Sequence, residues 1–314
     1  MMYQGLTTRF PVDRPLTAQD RKYQLRQGER LDLKPYPDLA TIKLNSTYLE
    51  VVDKFFGMKG QLTGFLSLIL IFVLAMPVLF WFDVIVEEHG DASVAWFATI
   101  ICIPTLLACL YVVSMEAFSY THYPIRLNRI TREVHVFRRS GGLLTVPWDE
   151  VFFTLDYNQT FSGRGWEIRG HVLDADRETV RETFAFSVWS VGDAEGFRKL
   201  RSHWEFYRRY MEEGPQAVAD YIKVCMPIDG RRESFRFGFE RIFVEDAAAL
   251  LQPIGVLMWT IMLPLNLLSV LGRWVAMQTS KLPQWPAEIE AASRTEPDDP
   301  YMIDARINPP KLRR

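Results

Sequence analysis

The chain has 314 residues, of which 48% are hydrophobic and 24% are charged, and its formal net charge at pH 7 is −2. A nearly neutral chain exerts no general attraction on polyanions, so this composition argues against a nucleic-acid-binding protein. The three cysteines, Cys102, Cys109 and Cys225, have no spacing typical of a zinc site or a disulfide framework. The apolar residues are concentrated in long uncharged stretches, which is the pattern of a membrane protein.

The first 60 residues are polar, with scattered prolines, mixed charge and no sustained periodicity. We interpret residues 1–60 as an extended arm. Its last part, TYLEVVDKFFGMKG, is predicted to form a short amphipathic helix that approaches the membrane. The apolar side of that helix would comprise Tyr48, Val51, Val52, Phe55 and Phe56.

Two uncharged stretches follow within residues 61–116, at 62–82 and 94–115. Each is long enough as a helix to cross a hydrocarbon core of about 30 Å, and a short polar connection separates them. We therefore predict a transmembrane helical hairpin. Pro77 and Pro104 lie inside the helices, where kinked packing is a simpler interpretation than a transport gate.

The charges that flank the hairpin predict its orientation. The connection at residues 83–93 contains four acidic residues and no Lys or Arg. Lys54 and Lys59 precede the hairpin, and Arg126 and Arg129 follow it. Because basic residues are enriched on the cytoplasmic side, we expect the N-terminus and the domain after the hairpin to be cytoplasmic.

Residues 117–225 change to a pattern of short alternating strands separated by Gly, Asn and Asp. This pattern predicts an antiparallel sheet of about five to seven strands. An amphipathic helix follows, with Asp193 at its start and Gly214 at its end. The predicted fold class is an α+β membrane protein, in which a cytoplasmic β-sheet or barrel domain of pleckstrin-homology-like type is closed by this helix.

The third apolar stretch lies within residues 226–280 and carries no charge from 247 to 272. Pro253 and Pro264 divide it into pieces that are short for a membrane span. We expect a re-entrant or membrane-associated segment that returns to the inner side, although a full crossing is the alternative. The C-terminal tail, residues 281–314, would then be cytoplasmic, and the acidic composition of residues 288–305 predicts that this stretch is solvated.

The sequence contains no nucleophile elbow, phosphate-binding loop or HExxH motif, and its five histidines have no ligand-like spacing. We therefore expect a protein that is not an enzyme, with no catalytic residue, cofactor or metal. Five arginines fall within one predicted hairpin close to the membrane, where cations gain energy from anionic lipids. These predicted lipid contacts, which indicate electrostatic anchoring more than specific recognition, are Arg126, Arg129, Arg132, Arg138 and Arg139.

Two stretches carry a resemblance. YPIRLNRITREVHVFR with the downstream VPWDEVFF, and LGRWVAMQTSKLPQWPAEIE, resemble signatures of a family of bacterial inner-membrane proteins encoded beside type VI secretion effectors. Together with the hairpin, the resemblance covers about two thirds of the chain.

The resemblance implies a multi-pass inner-membrane protein that neutralises a cognate secreted effector by binding, as an immunity protein. A scaffold or adaptor for effector loading is the alternative, and a lipid-modifying enzyme ranks last for want of catalytic motifs. The oligomeric state is left open. Candidate partner-binding residues are Trp148, Asp149, Arg273, Trp274 and Trp285. For each of the three tryptophans, core or interface packing is the favoured interpretation over direct partner contact.

Overall fold

The computed structural model describes residues 10–87, 90–160, 163–245 and 253–313. These residues form two compact units. Unit 1 contains the described residues up to Gly57, together with His122–Arg231 and Leu282–Arg313. Unit 2 contains Met58–Thr121 and the described part of Arg232–Lys281.

Within the described residues, unit 1 contains two antiparallel sheets of five strands each. Sheet I is a meander with the order β3-β4-β5-β6-β7. Its strands are β3 (Thr41–Leu44), β4 (Tyr48–Val51), β5 (Ile125–Asn128), β6 (Glu133–Phe137) and β7 (Leu143–Pro147). Sheet II has the order β1-β10-β9-β8-β2. Its strands are β1 (Arg14–Pro15), β2 (Gln24–Leu25), β8 (Val151–Thr160), β9 (Gly163–Leu173) and β10 (Thr179–Ser190).

The core of unit 1 lies among the two sheets and helix α4 (Ala194–Glu213). Alternation along β8 places Phe153 and Leu155 on the core face, as the two-residue period of a strand requires. Trp204 of α4 stacks on Trp148 with ring centroids 5.5 Å apart, and Phe153 packs against both indoles. The predicted sheet and closing helix are thus confirmed as a mixed helix and sheet architecture. The described part of residues 117–225 contains six strands, within the expected number, but these are divided between two sheets, and strands β1–β4 from the first 60 residues complete both.

The ends of α4 are those that the sequence predicts. The carboxylate of Asp193 accepts a hydrogen bond of 2.7 Å from the backbone N–H of Gly196. Gly214 ends the helix with a φ of 93°, a conformation that favours glycine. The short helix α1 (Ala18–Lys22) begins at a capping box formed by Thr17 and Asp20.

The predicted approach helix at residues 47–60 is wrong. Tyr48–Val51 form β4, which pairs with β3 on one side and β5 on the other. The two-residue alternation of this segment is hidden because all four residues of β4 are buried, including Glu50. A strand buried on both faces loses the pattern of alternating apolar and polar residues.

The expectation that the C-terminal tail is solvated is wrong for several of its residues. Helix α7 (Ala287–Ala292) is followed by segments that contact sheet I. The backbone of Ile303 bridges to Leu44 of β3, and the side chain of Asn308 bonds to the backbone of Cys225. Asp299 accepts hydrogen bonds from the backbone and hydroxyl of Ser46. The acidic composition therefore serves specific contacts as well as solubility.

Unit 2 is helical. Helices α2 (Gln61–Phe82) and α3 (Ala92–Glu116) form the hairpin, and α5 (Phe235–Glu245) and α6 (Pro253–Thr279) follow. Among the described residues, three helices are long and apolar enough to cross a membrane. They are Phe56–Glu87, Ala92–Glu116 and Thr260–Thr279.

The expected interruption of the third apolar stretch at Pro264 is wrong. Helix α6 continues through this residue, as α2 continues through Pro77 and α3 through Pro104. A proline removes one backbone hydrogen bond, which an apolar helix packed against neighbours tolerates better than an exposed helix does. Counting the residues between prolines therefore underestimated the length of this helix.

The burial of His203 in α4 predicts a pH dependence of the stability of unit 1. Its Nδ1 bonds to the carbonyl oxygen of Tyr36 and its Nε2 to the hydroxyl of Tyr207, both at 2.7 Å. Burial lowers the pKa of His203 to about 4. The unfolded chain takes up this proton near pH 6.5, so stability present above that pH is lost as the pH falls towards 4.

We expect this one group to remove about 2–3 kcal/mol of unfolding free energy between pH 7 and pH 4.5. The measurement is denaturant unfolding at both pH values for the wild type and His203→Gln, with the protein in detergent micelles. The variant should lose less stability on acidification than the wild type. Equal losses in the two proteins would contradict the assignment.

Candidate functional site

The two stretches that carry the family resemblance meet in unit 1. Arg126 lies on β5, and Trp285 lies in the last segment of unit 1, which begins at Leu282. The guanidinium of Arg126 lies between two aromatic rings, 4.3 Å from the centroid of Tyr48 and 4.8 Å from that of Trp285. The C-terminal signature is thus fixed on sheet I by a stacked arginine.

Carboxylates complete this arrangement. Glu50 faces Arg126 across β4 and β5, and its Oε2 accepts a hydrogen bond of 2.7 Å from Nε of Arg126. The same oxygen accepts a bond of 3.1 Å from the indole N–H of Trp285. Glu290 of α7 pairs with Nη2 of Arg126 at 3.1 Å. One carboxylate therefore holds the arginine and the tryptophan together.

These residues border a cleft of about 310 Å³, which we call the Arg126 cleft. Its lining comprises Glu50, His122, Pro124, Arg126, Ile228, Asp229, Gly230, Leu282, Pro283, Gln284, Trp285 and Glu290. The side chain of Glu50 is 8% exposed, whereas those of Asp229 and Glu290 are each 54% exposed. Glu50 thus lies at the floor and the other two acids lie at the mouth.

The electrostatics of the cleft are those of a buried pair with additional acids. Burial raises the pKa of Glu50, although Arg126 opposes this shift. Burial alone would lower the pKa of Arg126, but Glu50, Tyr48 and Glu290 raise it above its ordinary value. The guanidinium therefore stays charged. Its Nη1 is buried and has no hydrogen-bond partner among the described residues.

A larger cavity of about 450 Å³ lies elsewhere in unit 1, between the end of β6 and strand β10. Its buried cation, Lys54, pairs with Glu167 at 2.8 Å and lies 4.8 Å from the ring centroid of Phe10. Burial lowers the pKa of Lys54, although Glu167 opposes this shift. Arg138 at its rim pairs with Glu182 at 2.9 Å. The Arg126 cleft is the stronger candidate site, because both stretches of the family resemblance line it and because Nη1 of Arg126 has no hydrogen-bond partner among the described residues.

The five predicted lipid-contacting arginines do not share one environment. Arg126 is 3% exposed and paired with Glu50 and Glu290, which disfavours the predicted contact with lipid headgroups. Arg132 pairs with Asp149 and with Glu212. Their carboxylates raise the pKa of Arg132 and leave less of its charge for a membrane surface.

The other three arginines also have different surroundings. Arg138 pairs with Glu182, and Arg139 lines the larger cavity. Arg129 donates to the backbone oxygen of Ser46 at 3.4 Å. Lipid contact by Arg129, Arg132, Arg138 and Arg139 stays a prediction.

The predicted partner-binding residues are also separated. Trp148 is fully buried and donates its indole N–H to Glu212 at 2.7 Å, so it belongs to the core and direct partner contact by it is wrong. Asp149 is exposed but paired with Arg132. Trp274 is 44% exposed on α6. Of the five, only Trp285 lines the Arg126 cleft.

Arg273, the remaining candidate, belongs to a polar network in unit 2. Its Nε and Nη2 bond to the two carboxylate oxygens of Glu233 at 2.6 and 2.7 Å. Its Nη1 donates to the backbone oxygen of Lys59 at 3.1 Å. Arg273 and Glu233 are both buried, so direct partner contact by Arg273 is also wrong.

The same network caps two helices reciprocally. Glu116 at the end of α3 accepts hydrogen bonds from the backbone N–H groups of Gly60 and Thr63 at the start of α2. Lys59 donates to the backbone oxygens of Glu116 and Tyr120 at 2.9 and 2.6 Å. A carboxylate at a helix N-terminus and an ammonium at a C-terminus are the stabilising arrangement for both helix dipoles.

The four points at which the chain enters or leaves unit 2 therefore lie together at one end of that unit. Lys59, where the chain first enters unit 2, bonds to Glu116, near where it first leaves. Arg273, near the last exit, bonds to Glu233, just after the second entry. The backbones of Thr121 and Lys281 bond directly at 2.8 Å. At the opposite end of the hairpin, Trp81 donates to Thr99 at 3.1 Å.

Sequence reasoning missed the acids of the cleft. The predicted approach helix includes Glu50, and a helix at this position conceals the place of Glu50 opposite Arg126 on the neighbouring strand. A strand assignment for residues 48–51 would have predicted an opposite-charge pair there. Asp229 and Glu290 lie far apart in sequence and carry no motif, so no signal in the chain predicted that they would meet.

The chain thus combines a helical unit that contains three candidate membrane spans with a two-sheet unit that carries an acidic cleft. Residues 102–297 match the sequence model of a family described as "Family of unknown function (DUF6708)". This match covers more than half of the chain, and the chain belongs to that family. It extends from α3 to the segment after α7 and includes Arg126 and Trp285. Comparison with curated proteins and with solved structures found no match.

Proposed function

We propose that this chain is a membrane-anchored, non-enzymatic immunity protein of the bacterial inner membrane. It would neutralise a type VI secretion antibacterial effector by binding it. The three apolar helices would form the anchor, and unit 1 would carry the binding surface. The resemblance of the two signature stretches to proteins encoded beside such effectors supports the identity of the partner.

The observation that carries the proposal is the common position of the four connections of unit 2. Because these connections lie together, the chain enters and leaves unit 2 at one end of that unit each time. The connection at the other end, around residues 83–91, contains acidic residues and no Lys or Arg. The positive-inside tendency then supports a cytoplasmic unit 1 and a cytoplasmic C-terminus.

The strand order supports the pleckstrin-homology-like interpretation of unit 1. Strands β3–β7 form one meander of five strands, strands β8–β10 form the centre of the second sheet, and α4 follows and packs into the core. The transmembrane hairpin is inserted between β4 and β5, which pair directly through Val51 and Ile125. Such a barrel serves many binding functions, so the fold supports binding without selecting the partner.

The alternative is an adaptor that holds an effector before its secretion. A cytoplasmic unit 1 favours this function, because effectors are loaded from the cytoplasm of the cell that makes them. An immunity protein with the same orientation would suit a toxin that reaches the cytoplasm or acts in the membrane.

Competition between strains tests the proposal. The gene is deleted, and the mutant is grown on a surface beside its parent, with the secretion apparatus of the parent either active or disabled. Death of the mutant only beside the secretion-competent parent is the expected result. Equal survival in both cases, with reduced killing of prey by the mutant, would replace the immunity proposal with the adaptor.

A further inference from the structure

We propose that the Arg126 cleft binds a basic side chain, lysine or arginine, of a partner protein. A main-chain oxygen of the same partner segment would accept a hydrogen bond from Nη1 of Arg126. This inference rests on the proposed function, since it names the chemistry by which a partner is held.

The charge balance of the cleft favours a cation. Among the described residues, three carboxylates line it, those of Glu50, Asp229 and Glu290, and Arg126 is the only Lys or Arg that does so. Lys43 pairs with Asp229 at 3.1 Å and offsets one of the acids. One negative charge remains in excess, and Asp229 and Glu290 at the mouth are the groups that an entering ammonium or guanidinium would meet first.

The buried donor favours an oxygen in the same ligand. Arg126 is 3% exposed, and its Nη1 has no partner in the described ranges. A buried donor without a partner costs roughly 1–3 kcal/mol, so a ligand oxygen at this position recovers free energy. A free amine would pair with the carboxylates but would offer no acceptor to Nη1 of Arg126. A basic residue within a peptide supplies both the cation and a carbonyl oxygen.

The size of the cleft agrees with this ligand. At about 310 Å³ it lies at the lower end of the range for small-molecule pockets. It accommodates one long side chain with adjoining main chain more readily than a nucleotide or a flavin. A phosphate group would meet three carboxylates, which makes an anionic ligand the least favourable occupant.

Model peptides test the inference on the full chain purified in detergent micelles. The probes are Ac-Gly-Arg-Gly-NH2 and, for comparison, Ac-Gly-Glu-Gly-NH2, titrated by isothermal calorimetry at low ionic strength. Two variants each remove one charge at the mouth of the cleft, Glu290→Gln and Asp229→Asn. Glu288→Gln is the matched control, because Glu288 is exposed on the same helix and does not line the cleft.

We expect saturable binding of the arginine peptide in the millimolar range and none of the glutamate peptide. Each mouth variant should weaken binding about threefold, and Glu288→Gln should leave it unchanged. The absence of saturable binding up to about 10 mM would overturn the inference, as would equal binding of both peptides or wild-type affinity in both mouth variants. The competition between strains is an independent measurement. A failed peptide titration would leave the immunity proposal intact, and survival of the mutant in that competition would leave intact the inference that the cleft binds a basic side chain.

Discussion

Replacement of Arg273 by methionine is expected to destabilise unit 2 by about 3–5 kcal/mol. The side chains of Arg273 and Glu233 are 7% and 2% exposed, and they form two short hydrogen bonds with each other. The substitution leaves a buried carboxylate without its counter-charge and the backbone oxygen of Lys59 without a donor. Unfolding by denaturant in detergent micelles measures the loss of free energy.

Two further variants separate this mechanism from a general effect of the substitution. Arg306→Met removes an exposed partner of Asp304 and should change the free energy of unfolding by less than about 1 kcal/mol. The double variant Arg273→Met, Glu233→Leu removes both charges and should recover much of the stability that the single variant loses. A single variant as stable as the wild type would contradict the burial of this pair.

Replacement of Gly272 by alanine is expected to destabilise unit 2 by about 1–3 kcal/mol, through overpacking. The usual effect at a helix interior is opposite, because alanine favours the helix over glycine by up to about 1 kcal/mol. At Gly272 a Cβ would lie 2.2 Å from the backbone nitrogen of Gly64 and 2.3 Å from the backbone oxygen of Gly60. Helices α2 and α6 approach each other through these small residues, and backbone atoms cannot move aside as side chains can.

Gly28→Ala is the control for this prediction, because a Cβ at Gly28 meets no atom within 4 Å. It should leave the thermal midpoint nearly unchanged, while Gly272→Ala lowers it. Gly64→Ala should act in the same direction as Gly272→Ala, since its Cβ would lie 2.4 Å from the backbone oxygen of Leu268. A rise in the midpoint of either unit 2 variant would contradict the close packing of α2 and α6.

The long helices of this fold could be predicted from the sequence. The two stretches of the hairpin and the amphipathic α4 are single elements whose apolar patterns are complete within themselves. Their boundaries agree with the sequence within a few residues, including the caps at Asp193 and Gly214. Such elements depend on local periodicity, which the sequence records directly.

The features that depend on distant pairing could not be predicted in the same way. The strand β4 is buried on both faces and shortly precedes the hairpin in the sequence. Its apolar residues therefore resemble one side of a helix that approaches the membrane. Helix α6 continues through Pro264 because its environment tolerates the missing hydrogen bond, and the proline alone does not reveal this. The Arg126 cleft requires residues 50, 126, 229 and 290 to meet, and no local rule specifies that meeting.

The site residues show the same division. A run of arginines near a membrane indicated lipid contact, but the carboxylates that pair with Arg126, Arg132 and Arg138 come from distant segments. The family resemblance did select Arg126 and Trp285, because matched positions can mark residues that are brought together by the fold. The physical reason for their pairing, the shared carboxylate of Glu50, is visible only in the structure.

Accessibility of single cysteines in whole cells tests the central claim that unit 1 and the C-terminal segment lie on one side of the membrane. Cys102, Cys109 and Cys225 are replaced by alanine, and one cysteine is introduced at Glu29, Asp91 or Asp298, all exposed positions. A membrane-impermeant maleimide applied to cells with a permeabilised outer membrane should label position 91 at once. Positions 29 and 298 should be labelled only after lysis. Labelling of position 298 in intact cells, or protection of position 91, would contradict the claim.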